Sequence, residues 1–144
     1  MADDDANHAR LLAAAPGGSA VIEWFGFAPR FHDANLAELK LMNGSAELRL
    51  RAFRMTDQLD ERGYFVCDRH ALVTLRLERV SGIVLEGDAD SIIADLVISE
   101  VDEPQALSTC AGPVPGDLQI TMRTSVGLAG EIYGRDLSLE LEPQ

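Results

Sequence analysis

The chain has 144 residues, 47% hydrophobic and 25% charged, with a net charge of −12 and a pI near 4.5. That length suits one domain, and that balance excludes a disordered chain. So negative a surface repels phosphate backbones, which argues against a nucleic-acid partner, and no apolar run approaches the ~20 residues of a membrane span.

The first residues, Met1-Ala2-Asp3-Asp4-Asp5, are acidic where a secretory leader would be basic, which points to the cytoplasm. Ala9 to Ala15 is an Ala/Leu-rich run that favours helix, and Pro16-Gly17-Gly18 ends it. Residues 1–18 are therefore read as a short helix or an arm, followed by a single β domain over 19–144. Ser19–Phe25 is apolar and β-branched, the pattern of a first strand.

Next comes Trp24–Leu36, which holds the sole tryptophan and three of the five phenylalanines. Pro29 breaks the chain there, and Phe31-His32-Asp33-Ala34 follows. Leu39 and Leu41 then alternate with Glu38 and Lys40, and Ala46, Leu48 and Leu50 with Glu47, Arg49 and Arg51. Alternation on both sides of Asn43-Gly44 predicts a hairpin closed by a type I′ turn, which needs positive φ at both central residues.

Thr56–Gly63 is polar and reads as a loop, and Tyr64–Cys67 as a short strand. Further strands are predicted over Leu72–Arg79, Ile83–Leu85, Ile92–Val101, around Leu118–Met122 and over Asp136–Glu142. Seven to nine short strands with brief connections give a mainly β fold, an antiparallel β-sandwich or open barrel rather than βαβ units.

His32-Asp33 is the one pair with acid–base potential. Adjacent residues of a strand point to opposite faces, so the pair could cooperate only in a turn, and no serine or cysteine sits in a recognisable nucleophile elbow. The structural reading is that His32 bonds a backbone carbonyl and Asp33 caps the turn. Trp24 and Phe31, with Phe25 and Phe27, read as a packing cluster or as an exposed interface anchor. His8, His32 and His70 show no metal-ligand spacing, and the Gly-rich stretches lack a P-loop lysine and a dinucleotide fingerprint, so neither metal nor cofactor is expected. Cys67 and Cys110 form no CxxC and are expected to be reduced thiols packed as small apolar residues. Seven acidic residues, Glu86, Asp88, Asp90, Asp95, Glu100, Asp102 and Glu103, run without an intervening Lys, Arg or His. Those on the water side of the strand, with Asp88, Asp90 and Asp95 as the interface candidates, would form a patch suited to a basic protein.

These residues give the chain a resemblance to the bacterial immunity protein 50 family, found beside polymorphic toxins. It rests on the early Trp24, on Phe31-His32-Asp33-Ala34 with Leu36 two residues on, and on the following hairpin. It continues through Leu75 and Leu77, the segment from Ser91 to Ile98 and the terminal strand Leu137–Leu141, spanning about Val21–Leu141. Residues 1–18 stand outside it. The resemblance implies a mostly β, non-enzymatic immunity protein that neutralises a cognate toxin. The acidic balance suits a basic target such as a nuclease. The alternative is a β-barrel that binds a small molecule in a pocket near Trp24, Phe31 and His32. The oligomeric state stays open.

Overall fold

The structure, a computed structural model, describes residues 2–107 and 110–144. Two helices, α1 (Ala2–Ala14) and α2 (Gly18–Phe25), precede eight strands: β1 (Asn35–Met42), β2 (Ser45–Leu59), β3 (Phe65–Glu78), β4 (Gly82–Glu86), β5 (Ile92–Glu100), β6 (Leu118–Val126), β7 (Ala129–Gly134) and β8 (Asp136–Pro143). The strands make one antiparallel sheet in the order β4-β7-β6-β5-β1-β2-β3-β8. The fold is mainly β, as the alternation predicts.

That sheet has to curl. In a flat sheet β3 and β4 would lie six strand spacings apart, about 29 Å at ~4.8 Å each. Yet Glu78 and Gly82 are four residues apart, a reach of about 14 Å at most. β7 and β8, also six places apart, are joined through Arg135 alone. The sheet therefore turns back on itself, so that β3 faces β7: an alanine-like Cβ at Gly134 would lie 2.7 Å from Leu77 Cγ. The inner faces supply the core, with Leu48, Leu50, Val73, Leu75 and Leu77 from one half and Leu96, Ile98, Ile120, Met122 and Ile132 from the other. Asp117, buried and bonded by Ser81 Oγ, the Val114 N–H and Arg135 Nε, ties the loop before β6 to the links that follow β3 and β7.

Ser19–Phe25 is helix, not strand. Gly18, Val21 and Phe25 are buried, a three- and four-residue spacing that places one apolar stripe on the core, and this burial outweighs the β preference of Val21 and Ile22. Gly17 makes the break between the helices: its φ is +83°, and any Cβ there would stand 1.9 Å from the carbonyl oxygen of Leu139 in β8. The boundary drawn at residue 18 thus falls within the helical pair, and both helices belong to the common core through Leu12, Val21 and Phe25.

Three further expectations change. The hairpin does turn at Asn43-Gly44, with Met42 paired to Ser45, but only Gly44 has positive φ (+85°), so the turn is not type I′. Thr56–Gly63 is not a loop throughout: β2 runs on to Leu59, and Tyr64–Cys67 joins Leu72–Arg79 in the long β3. β7 was not anticipated, because Ala129–Gly134 has two glycines in six residues and no alternation to announce it.

Candidate functional site

The Trp24–Leu36 stretch is where the two halves of the sheet are joined. β1 and β5 share a single register pair, Asn35 with Ile92. The rest of the junction is made by the loop before β1: Asp33 N–H donates to the Ile93 carbonyl, Ile93 N–H to the Ala34 carbonyl, and Leu36 N–H to the Ser91 carbonyl. Phe31 and Asp33 both take positive φ (59° and 65°), which makes the turn tight enough to send neighbouring side chains different ways. Phe31 goes into the core, edge-on to Phe25 at 6.5 Å between ring centroids. His32 lies outside, and its Nδ1 donates to the Ala94 carbonyl at 2.9 Å. Ala94 is the bulge residue skipped where β5 pairs with β6, so His32 bonds a carbonyl at an interruption of the ladder. The Asp33 carboxylate is 3.5 Å from His32 Nε2, and both side chains are substantially exposed. The turn thus brings the pair together, with Nδ1 occupied by a structural bond.

Trp24 does a similar service for β3. Its Nε1–H donates to the carbonyl of Arg69 at 2.9 Å, and the Arg69 guanidinium lies 4.8 Å from the indole centroid. Arg69 has φ +53° and sits where the β2–β3 register slips. Beyond this bulge the two strands continue as an arm, braced by the bidentate Arg54–Asp68 pair at 2.9 and 2.7 Å. Its turn, Asp60-Glu61-Arg62-Gly63, is charged, but the arm on either side of it carries large apolar side chains: Leu59 is 61% and Tyr64 67% exposed, with Met55 and Phe65 also exposed, and Phe27 exposed on the loop after α2.

Two open clefts flank the motif. One, of about 280 Å³, is lined by Phe25, Phe27, Phe31, His32, Phe53 and Met55 among others. The other, of about 580 Å³, places Asp33 with Asn35, Arg51, Phe53, His70 and Gln144. Trp24 lines neither.

The acidic run divides in two. Asp88 and Asp90 are exposed on the turn between β4 and β5. Asp95 is only 15% exposed, gripped by Arg30 through Nε and Nη2 at 2.7 and 2.6 Å and by Arg123 at 3.2 Å. Hydrogen bonding from Arg30 holds its carboxyl below the usual range. Its charge is therefore neutralised locally, and it is not free to meet a partner as Asp88 and Asp90 are. Arg30 also pairs with Asp5 of α1, a contact with no motif in the sequence to announce it.

His8, which sequence reasoning set aside in an arm, is 1% exposed. Its Nδ1 accepts from Ile98 N–H at 3.0 Å, which leaves Nε2–H to donate to the Pro29 carbonyl at 2.9 Å. Burial lowers its pKa, partly opposed by the bond to Pro29. The thiols are both free, but Cys110 is exposed and Cys67 half-buried, so neither packs as a core residue.

No helix among the described residues is long and apolar enough to cross a membrane. No protein-family model, curated protein or solved structure matches the chain.

Proposed function

We propose that the chain is a cytoplasmic binding protein that neutralises a cognate bacterial toxin by occupying it rather than by catalysis. The observation that carries this reading is the β2–β3 arm. Four large apolar residues, Met55, Leu59, Tyr64 and Phe65, stand exposed on one hairpin and its turn. Isolated exposed apolar residues are ordinary, but four along one hairpin arm, flanking its charged turn, are what an interface core looks like before its partner arrives. The bidentate Arg54–Asp68 pair and the Trp24 bond brace the arm at its base, so less ordering entropy is lost on docking. The net charge of −12 suits a basic target and would speed its approach. The resemblance of Trp24 and Phe31-His32-Asp33-Ala34 to immunity proteins supports the same reading, with those residues holding the fold that presents the arm.

A second reading has one observation in its favour. The cleft of about 280 Å³ beside Phe31 and His32 could accept a small apolar ligand. It lies just below the ~300 Å³ at which ordinary ligand pockets begin.

The test is to mix the purified chain with the toxin domain encoded beside its gene and measure binding and residual toxicity. The expected result is a stoichiometric, inactive complex that Tyr64→Asp/Phe65→Asp weakens by roughly 100-fold. Full toxicity at excess protein would dispose of the toxin reading. A tight complex indifferent to that double variant would remove the arm from it.

A further inference from the structure

Several strand edges are covered by other segments, whereas those of the β2–β3 arm and of β1 are not. Past the clasp, β5 leaves β1, and its freed edge is covered from the N-terminus: Leu96 N–H donates to the Arg30 carbonyl and Ile98 N–H to His8, both at 3.0 Å. The outer edge of β8 receives the Pro16 carbonyl at Leu139 N–H, 2.8 Å. β4, at the other end of the sheet, is five residues long. β1 is different. From Glu38 to Met42 it pairs with β2 on one side, and on the other no backbone hydrogen bond is made among the described residues. The pair flanking a two-residue turn, here Met42–Ser45, is the hydrogen-bonded kind. Alternation then turns the N–H and C=O of Leu39 and Leu41 to the open side. Its protections against strand addition are limited to the bulge at Ala37 and the single charge pair Glu38–Lys40; no proline lies in it and no neighbouring segment bonds to it.

We infer that the open edge of β1 receives an extended, basic segment of a partner protein as an added strand. The charge beside it selects that occupant. Leu36 N–H donates to the Ser91 carbonyl, so the turn carrying Glu86, Asp88 and Asp90 enters the sheet at the start of the open edge. All three carboxylates are exposed, and none forms an ion pair among the described residues. A second copy of this chain is disfavoured, because edge-to-edge pairing would bring two chains of charge −12 and two such turns together. Leu41 is 56% exposed and Leu39 partly buried on the same face. The incoming strand therefore carries apolar side chains at alternate positions facing these leucines, and basic ones between. This goes beyond toxin neutralisation and stands without it, since the edge is distinct from the apolar arm.

The probe is a labelled heptapeptide of alternating valine and arginine, with a twin N-methylated at the amides that would meet β1. Leu41→Pro removes an outward N–H while sparing the bonds to β2, a substitution edge strands accept. Binding by fluorescence anisotropy and amide exchange of the protein are read together. The expected result is saturable binding, slowed exchange at Leu39 and Leu41, and a loss of about tenfold or more with either the N-methylated twin or Leu41→Pro. If Leu41→Pro fails to fold, the twin peptide alone decides. Absent binding, equal binding of the twin, or protection confined to other strands overturns the proposal. So does concentration-dependent protection of β1 without peptide, which would mean a second copy.

Discussion

Replacing His8 with leucine isolates what its ring contributes. The side chain is 1% exposed and holds two backbone groups, the Ile98 N–H and the Pro29 carbonyl. Leucine fills similar space but orphans both. Each unsatisfied buried group costs about 1–3 kcal/mol, and burying the leucine returns roughly 2 kcal/mol, so the net loss for the two groups centres on about 2 kcal/mol. The same substitution should change the pH profile. Burial lowers the folded-state pKa of His8 below its ordinary 6.5. Between those two values the unfolded chain binds more protons than the folded one, so stability is full above pH 6.5 and falls as the pH drops below it. Asp68, Asp95 and Asp117 are shifted below 3.8; their stabilisation is present above that value and is lost only as pH falls past it toward their folded pKa values. The histidine window therefore stands apart. Urea titrations from about pH 5 to about pH 8, followed by Trp24 fluorescence, measure both effects. A leucine variant with wild-type stability, or one that keeps the wild-type decline between pH 6.5 and about 5, would refute the assignment of His8 as a neutral, doubly bonded core residue.

Gly44→Val should cost about 1 kcal/mol or more in chemical denaturation, because a β-branched residue must then hold φ +85°; open space around the position leaves no steric clash to confuse the result. Asp33 separates a backbone effect from a side-chain one: Asp33→Ala should cost about 1 kcal/mol and Asp33→Gly close to nothing, since φ is +65° and the carboxylate makes no short hydrogen bond. Equal losses in the two variants would instead give the carboxylate a role of its own. If a basic toxin is the partner, Asp88→Asn/Asp90→Asn should slow association several-fold at low salt and much less at high salt, with dissociation little changed in stopped-flow traces.

Strands with a period of two were legible in the sequence: β1, β5, β6, β8 and the inner halves of β2 and β3, with the short β4 beside them. There the side chains face the core and water in turn, and burial enforces the same alternation the residues display. The outer half of β2 was not, because an arm without a buried face has no reason to alternate, and of the outer half of β3 only Tyr64–Cys67 was read as strand. Thr56, Asp57 and Gln58 therefore resemble a loop. α2 was mistaken for a strand because Val21, Ile22, Trp24 and Phe25 are good strand formers. The spacing of Gly18, Val21 and Phe25 carried the helical signal, but eight residues are too few for periodicity to override composition. Around the motif, the turn and its contact with a backbone carbonyl were legible from Pro29 and the His-Asp pair. The contacts that complete it, His8 to Ile98 and Arg30 to Asp95, join residues 90 and 65 apart and leave no local trace.

That separation of 90 residues has a consequence during synthesis. α1 leaves the ribosome before β5, and the strand edge it covers follows only with Ile98. At ~5–20 residues per second the helix waits about 5–18 seconds for its docking site. For that time Leu11 and Leu12 have no sheet to cover them. The acidic run Asp3-Asp4-Asp5 in the same segment gives it like charges that discourage its association with other acidic chains. Covering the β5 edge is then a late event, completed when α1 meets a strand made 90 residues after it.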